Sequence, residues 1–110
     1  MKDRLFGTLG LAAAAALLAT AAHTASAQTQ AAMDKAGCMA CHAKDRKLVG
    51  PSFKDIAARY KGQAAAPALL LDKVRKGGSG VYGPVPMSPN GPDKIGDKDL
   101  REAIELILAT

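Results

Sequence analysis

Tryptophan is missing from this chain of 110 residues, and only Phe6, Phe53, Tyr60 and Tyr82 are aromatic. An aromatic-poor domain of this size buries a modest share of its surface and needs a staple of some kind. Two cysteines are too few for a disulfide-dense scaffold, and they stand at 38 and 41 alone. Histidine is equally scarce, at 23 and 42. There is no block of like charges and no aromatic interleaving of basic residues, so a nucleic-acid partner is excluded. Alternating strand patterns, internal repeats and linkers are absent too, which leaves an all-α domain with long loops.

What is present begins with a leader. Lys2 and Arg4 precede an almost wholly apolar, Ala-rich run from Leu5 to Ala22, and Ala25-Ser26-Ala27 supplies small residues at signal-peptidase spacing. That order reads as a secretory signal over residues 1–27, cleaved after Ala27 and taking His23 with it. The competing reading is an uncleaved anchor, since the run approaches the roughly 20 residues that span a bilayer. Losing Lys2, Asp3 and Arg4 lowers the formal charge from +5 to +4, a mildly basic surface.

Residues 28–110 then form one domain. QAAMDKAGCMACH (30–42) predicts a short helix with Met33 and Ala36 on its apolar face. A loop is expected over 43–51, ending at Gly50-Pro51, and Ser52 is suited to cap a helix running to about Tyr60. Pro67 fits the first turn of a further helix that Gly77-Gly78 would stop. SGVYGPVPMSPNGP contains four of the six prolines and is neither helix nor central strand. Leu100, Ala103, Ile104, Ile107 and Leu108 lie at helical spacing after Asp97, a suitable N-cap. Such a stripe is core packing rather than a partner face.

The chemistry is concentrated in GCMACHAKDRKLVGP, residues 37–51. Cys38, Cys41 and His42 form C-x-x-C-H, which admits a disulfide, a zinc site or covalent haem attachment. A disulfide would close a tiny ring and leave His42 without a role. Structural zinc needs four ligands, and His42 is the only histidine after residue 27. Haem attachment uses every residue of the motif: two thiols for the vinyl groups and an imidazole for iron. A buried porphyrin would also fill the thin core, contributing on the order of 10 kcal/mol at about 25 cal/mol per Å².

Given a haem, the sixth ligand decides its use. Met33 falls on the apolar face of the first helix and Met39 between the cysteines, whereas Met87 stands apart among Pro84, Pro86 and Pro89. Met87 is therefore the expected iron ligand, its competing role being a gap-filling core residue. Imidazole opposite a thioether raises the potential and leaves no vacancy for substrate. That favours an electron carrier over an enzyme. A haem enzyme or gas sensor with a labile sixth ligand is the alternative, and a simple disulfide protein the other.

From about Ala32 to Leu108 the chain resembles the bacterial class I monohaem cytochromes c of the c-551/c-552 type, most specifically in GCMACHAKDRKLVGPSFKDIAARYKGQ and KGGSGVYGPVPMSPN. The resemblance implies four to five helices around one covalently bound haem c, with the terminal helices crossing. Cys38 and Cys41 would form the thioethers, and His42 and Met87 the axial bonds. The Pro51 carbonyl would accept the imidazole N–H, and Asn90 would help to position the thioether. Tyr82 stands where relatives carry a tryptophan that contacts a haem propionate. Lys73 stands where an arginine reaches one and cannot make the forked contact. The implied protein is a periplasmic monomer passing single electrons between redox proteins. Its donor would be a quinol-oxidising complex, and its acceptor a nitrite reductase, terminal oxidase or peroxidase. Docking would use an apolar patch of Met39, Ala40, Val85 and Pro86 rimmed by Lys44, Arg46, Lys47 and Lys76.

Overall fold

The computed structural model describes residues 26–110. The apolar run of the expected signal peptide lies outside the described residues, and Ser26 and Ala27 are exposed at the beginning of the described helix. Five helical segments follow one another: α1 (26–36), α2 (Cys38–Cys41), α3 (Phe53–Tyr60), α4 (Ala66–Lys76) and α5 (Asp97–Leu108). There is no strand among the described residues, only two isolated bridges, His42 with Lys47 and Gly78 with Met87.

The expected helix over 30–42 is in fact two. Gly37 adopts φ 83°, a left-handed conformation that side chains resist, and it ends α1 before the single turn of α2. The other starts follow local chemistry. Ser52 Oγ accepts from the Asp55 N–H at 3.0 Å and caps α3. Pro67 sits in the first turn of α4, and Gly77 ends that helix at φ 67°. Asp97 does not cap α5, contrary to expectation: Gly96 is the capping residue, and the Asp97 carboxylate turns to Arg75.

Helix α5 is the hub, packed on both α3 and α4. Leu100 and Ile104 join Ile95, with Ala32 and Ala36 of α1 and Leu70, Leu71 and Val74 of α4 around them. Ala103 meets Met33 and Phe53 in a second cluster. Thr29 donates to Glu102 at 3.1 Å, a further tie between the terminal helices. Met39 is partly buried and packs against the Met33 cluster, at the border between core and surface. Surface pairs such as Lys76–Asp72 are exposed and contribute little.

Candidate functional site

The helices do not close on each other. Between α2, the 43–51 loop, α3, α4, α5 and the proline-rich segment lies a cavity of about 540 Å³. Its walls include Ile56, Tyr60, Leu70, Val74, Ile95, Leu100 and Ile104, so the core cluster on α5 also forms one side of the hollow. Cys38, Cys41, His42, Pro51, Lys73, Tyr82, Met87 and Asn90 all border it. Positions from 38 to 90 in the sequence thus converge on one space.

Both cysteines are free thiols, presented from the single turn of α2. Burial pushes the Cys38 thiol above its ordinary range, with Asp34 and Cys41 adding to the shift and a backbone hydrogen bond opposing it. Among the described residues there is no group of three His, Cys, Asp or Glu side chains placed to hold a metal ion.

His42 is held on three sides. Its Nδ1 lies 2.7 Å from the Pro51 carbonyl. A carbonyl only accepts, so Nδ1 carries the hydrogen, and in the neutral ring Nε2 keeps its lone pair. The Phe53 ring is stacked with the imidazole at 5.6 Å between centroids and 21° between planes. Gly50 closes the remaining side: a Cβ there would stand 2.6 Å from Cε1 and 3.0 Å from Nδ1. The loop is folded onto the ring by main-chain bonds, Gly50 N–H to Cys41 at 2.8 Å and Phe53 N–H to Ala43 at 2.9 Å.

Met87 approaches from the other end of the sequence. Its N–H and carbonyl exchange hydrogen bonds with Gly78 at 2.9 and 3.0 Å, fixing the proline-rich segment to the end of α4. The Asn90 side chain donates to the Ser88 carbonyl at 3.0 Å, and its N–H donates to Val74 at 2.9 Å. Asn90 therefore shapes the turn that follows Met87. Arg59 lies 5.3 Å above the Tyr82 ring. Tyr82 has its pKa raised, by burial first and then by Tyr60.

This constellation provides two thiols, one lone-pair nitrogen and one thioether around an apolar hollow, a donor set that suits a porphyrin iron. Residues 26–110 match the cytochrome c family over their whole extent. The chain belongs to that family. It is 51% identical over 76 residues to cytochrome c2 of Rubrivivax gelatinosus, covering 69% of this chain and 89% of the relative. Identity to cytochrome c-552 of Nitrosomonas europaea is 40% over 100 residues, 91% of this chain and 92% of that protein. The crystal structure of wild-type Nitrosomonas europaea cytochrome c552 superposes with a TM-score of 0.67 at 39% identity, covering 73% of this chain and 96% of that one. Cytochromes c of the c-551/c-552 type are thus its relatives in sequence and in fold, and haem c is the cofactor of the family.

Three features of the cytochrome have no local signal in the sequence. Phe53 reads as a core residue, and its stacking on His42 depends on the fold of the 43–51 loop. Arg59 reads as a solvated charge at the end of a helix. Arg75, also in a last turn, reads as a partner of the helix dipole. Instead it donates to the Asn90 and Ile95 carbonyls at 3.1 and 2.8 Å and meets Asp97 at 2.6 Å.

Proposed function

We propose that this haem-c electron carrier binds its iron through His42 and Met87 and acts in the periplasm after removal of residues 1–27. Cys38 and Cys41 are the thioether positions. The observation that carries the reading is the pairing of a His42 ring whose Nδ1–H is committed to Pro51 with a main-chain-anchored Met87 on the same cavity. Bound haem supplies the one-electron ferric/ferrous couple. The chain's own part is to hold the couple still. The Pro51 carbonyl fixes the imidazole plane and makes Nε2 a stronger donor. The Gly78 bridge holds the Met87 segment, and the apolar walls exclude water, which favours the less charged ferrous state.

With His42 and Met87 both holding the iron, no position would remain for a substrate, which favours a carrier over an enzyme. Lys73 and Tyr82 border the cavity and are two of the polar groups there that could meet haem propionates. Val85 at 60% and Val49 at 55% exposure border the cavity and offer apolar surface to a partner, and Lys47 borders it too. A monomer with this face suits brief encounters with an acidic redox protein, accepting from a quinol-oxidising complex and donating to a nitrite reductase, terminal oxidase or peroxidase. No helix among the described residues is long and apolar enough to cross a membrane.

The deciding experiment is the ferric absorption spectrum of the purified holoprotein. A weak far-red charge-transfer band reports iron–thioether bonding. It should be present in the wild type and in Met33→Leu, and absent in Met87→Ala, whose potential should also fall. A band that survives Met87→Ala moves the sixth ligand elsewhere. A high-spin wild-type spectrum that responds to added ligands would establish the enzyme or sensor reading instead.

A further inference from the structure

We propose that Arg75 is a positioning residue for Met87, a latch whose release lets the thioether leave its site. The inference rests on Met87 being an iron ligand. Residues 88–96 follow Met87 and have no regular secondary structure, so no ladder of main-chain bonds keeps them in place. Upstream, Met87 is anchored by backbone alone, through the Gly78 pair, which uses no side chain. Gly77 brings that backbone close enough that a side chain there would collide with the Met87 carbonyl.

Downstream the attachment is different. One main-chain bond, Asn90 N–H to Val74, is joined by three contacts from a single side chain. Arg75 Nη1 donates to Asn90 at 3.1 Å and to Ile95 at 2.8 Å, and Nη2 lies 2.6 Å from an Asp97 carboxylate oxygen. Its side chain is only 16% exposed. A rigid fork reaches three acceptors on residues 90, 95 and 97 at once, which a lysine ammonium cannot do in the same geometry. Ile95 is buried, at 4% exposure, so its carbonyl would lose its donor away from solvent if Arg75 were removed. An unsatisfied buried acceptor is costly, and the relief open to it is movement of the segment toward water. That movement draws on the residues next to Met87. Asp97 matters less: its carboxylate is 63% exposed and can be hydrated when the pair is broken.

The test is imidazole titration of the ferric holoprotein, followed by the far-red band, together with hydrogen exchange at the Asn90 amide. An exogenous ligand binds only the fraction in which Met87 has left, so its apparent affinity rises in proportion to that fraction. Arg75→Met should raise imidazole affinity by about tenfold or more and speed exchange at Asn90, while the Phe53 amide is unchanged. Arg75→Lys should fall between the two, and Asp97→Asn should stay within about twofold of wild type. Thr29→Ala, which breaks the tie between α1 and α5 away from the segment and outside the cavity lining, should leave imidazole affinity unmoved. Should Arg75→Met fail to mature, Arg75→Gln reads the same shift at smaller size. Wild-type affinity and exchange in the Arg75 variants, with the site opened by Met87→Ala, overturn the latch alone. An affinity unmoved by Met87→Ala overturns the ligand assignment and the latch with it.

Discussion

Gly50→Ala is the smallest change that should disturb the redox centre. Gly50 does not have a positive φ, so alanine meets no backbone penalty there and the effect is purely one of contact. The new methyl carbon would fall 2.6 Å from His42 Cε1, 3.0 Å from Nδ1 and 3.1 Å from Nε2. Relief requires the ring to retreat by about 1 Å, since carbon atoms rest about 3.5–4.0 Å apart. Phe53 is stacked on the imidazole, and the 2.7 Å bond to Pro51 would stretch beyond hydrogen-bonding range. Overpacking of this kind costs about 1–3 kcal/mol, and the lost hydrogen bond about 1 kcal/mol. Thermal unfolding of the holoprotein should therefore shift down by roughly 10 °C or more. If His42 holds the iron as proposed, the potential should rise, because an imidazole without its outer partner is a weaker donor to ferric iron. Gly96→Ala is the control for the potential, which it should leave unchanged because a methyl there meets nothing within 4 Å, although the loss of a good helix cap lowers its stability. Scanning calorimetry and a redox titration decide the matter. Gly50→Ala with an unchanged potential and melting temperature would refute the account of the imidazole clamp.

Other outcomes follow from the same geometry. The mature polypeptide from Gln28 should be heavier by one haem that acid-acetone does not extract, and Cys38→Ser or Cys41→Ser should lower the yield of holoprotein. Folded, unmodified chain from a cell able to mature c-type cytochromes would contradict this. The Asp97 carboxyl is held below the usual range by its hydrogen bond from Arg75 and by the charge of that guanidinium. Its contribution to stability is therefore present above the ordinary carboxylate pKa of about 4 and is lost as the pH falls through the folded value. The urea midpoints of wild type and Asp97→Asn should differ near neutral pH and converge in acid, and a gap that persists at low pH argues against the pair. Electron transfer to an acidic partner should slow as salt rises, and Lys47→Glu should slow it further. Rates flat with salt and charge would leave only the apolar surface as the docking device.

Much of the architecture was legible in the sequence because its signals are local. Ser52, Pro67 and Gly77 mark helix ends through the hydrogen bonds and dihedral angles of their own turns, and the stripe from Leu100 to Leu108 follows one helical period. C-x-x-C-H is equally local, since one turn of chain holds all three side chains. Gly37 defeated the periodicity. The apolar pattern runs through it, whereas its backbone conformation does not. Asp97 misled for another reason: a good capping residue was drawn to a stronger partner, a guanidinium from another helix.

The sequence by itself determined which chemical groups the protein possesses and which short segments are helical, because neighbouring residues settle those properties. Tertiary structure alone decided the hollow that receives the cofactor, the meeting of His42 with Phe53 and Gly50, and the reach of Arg75 to residues 90, 95 and 97. Those contacts cross irregular loops, through which no residue period carries. They exist only once α4, α5 and the 43–51 loop have packed against one another.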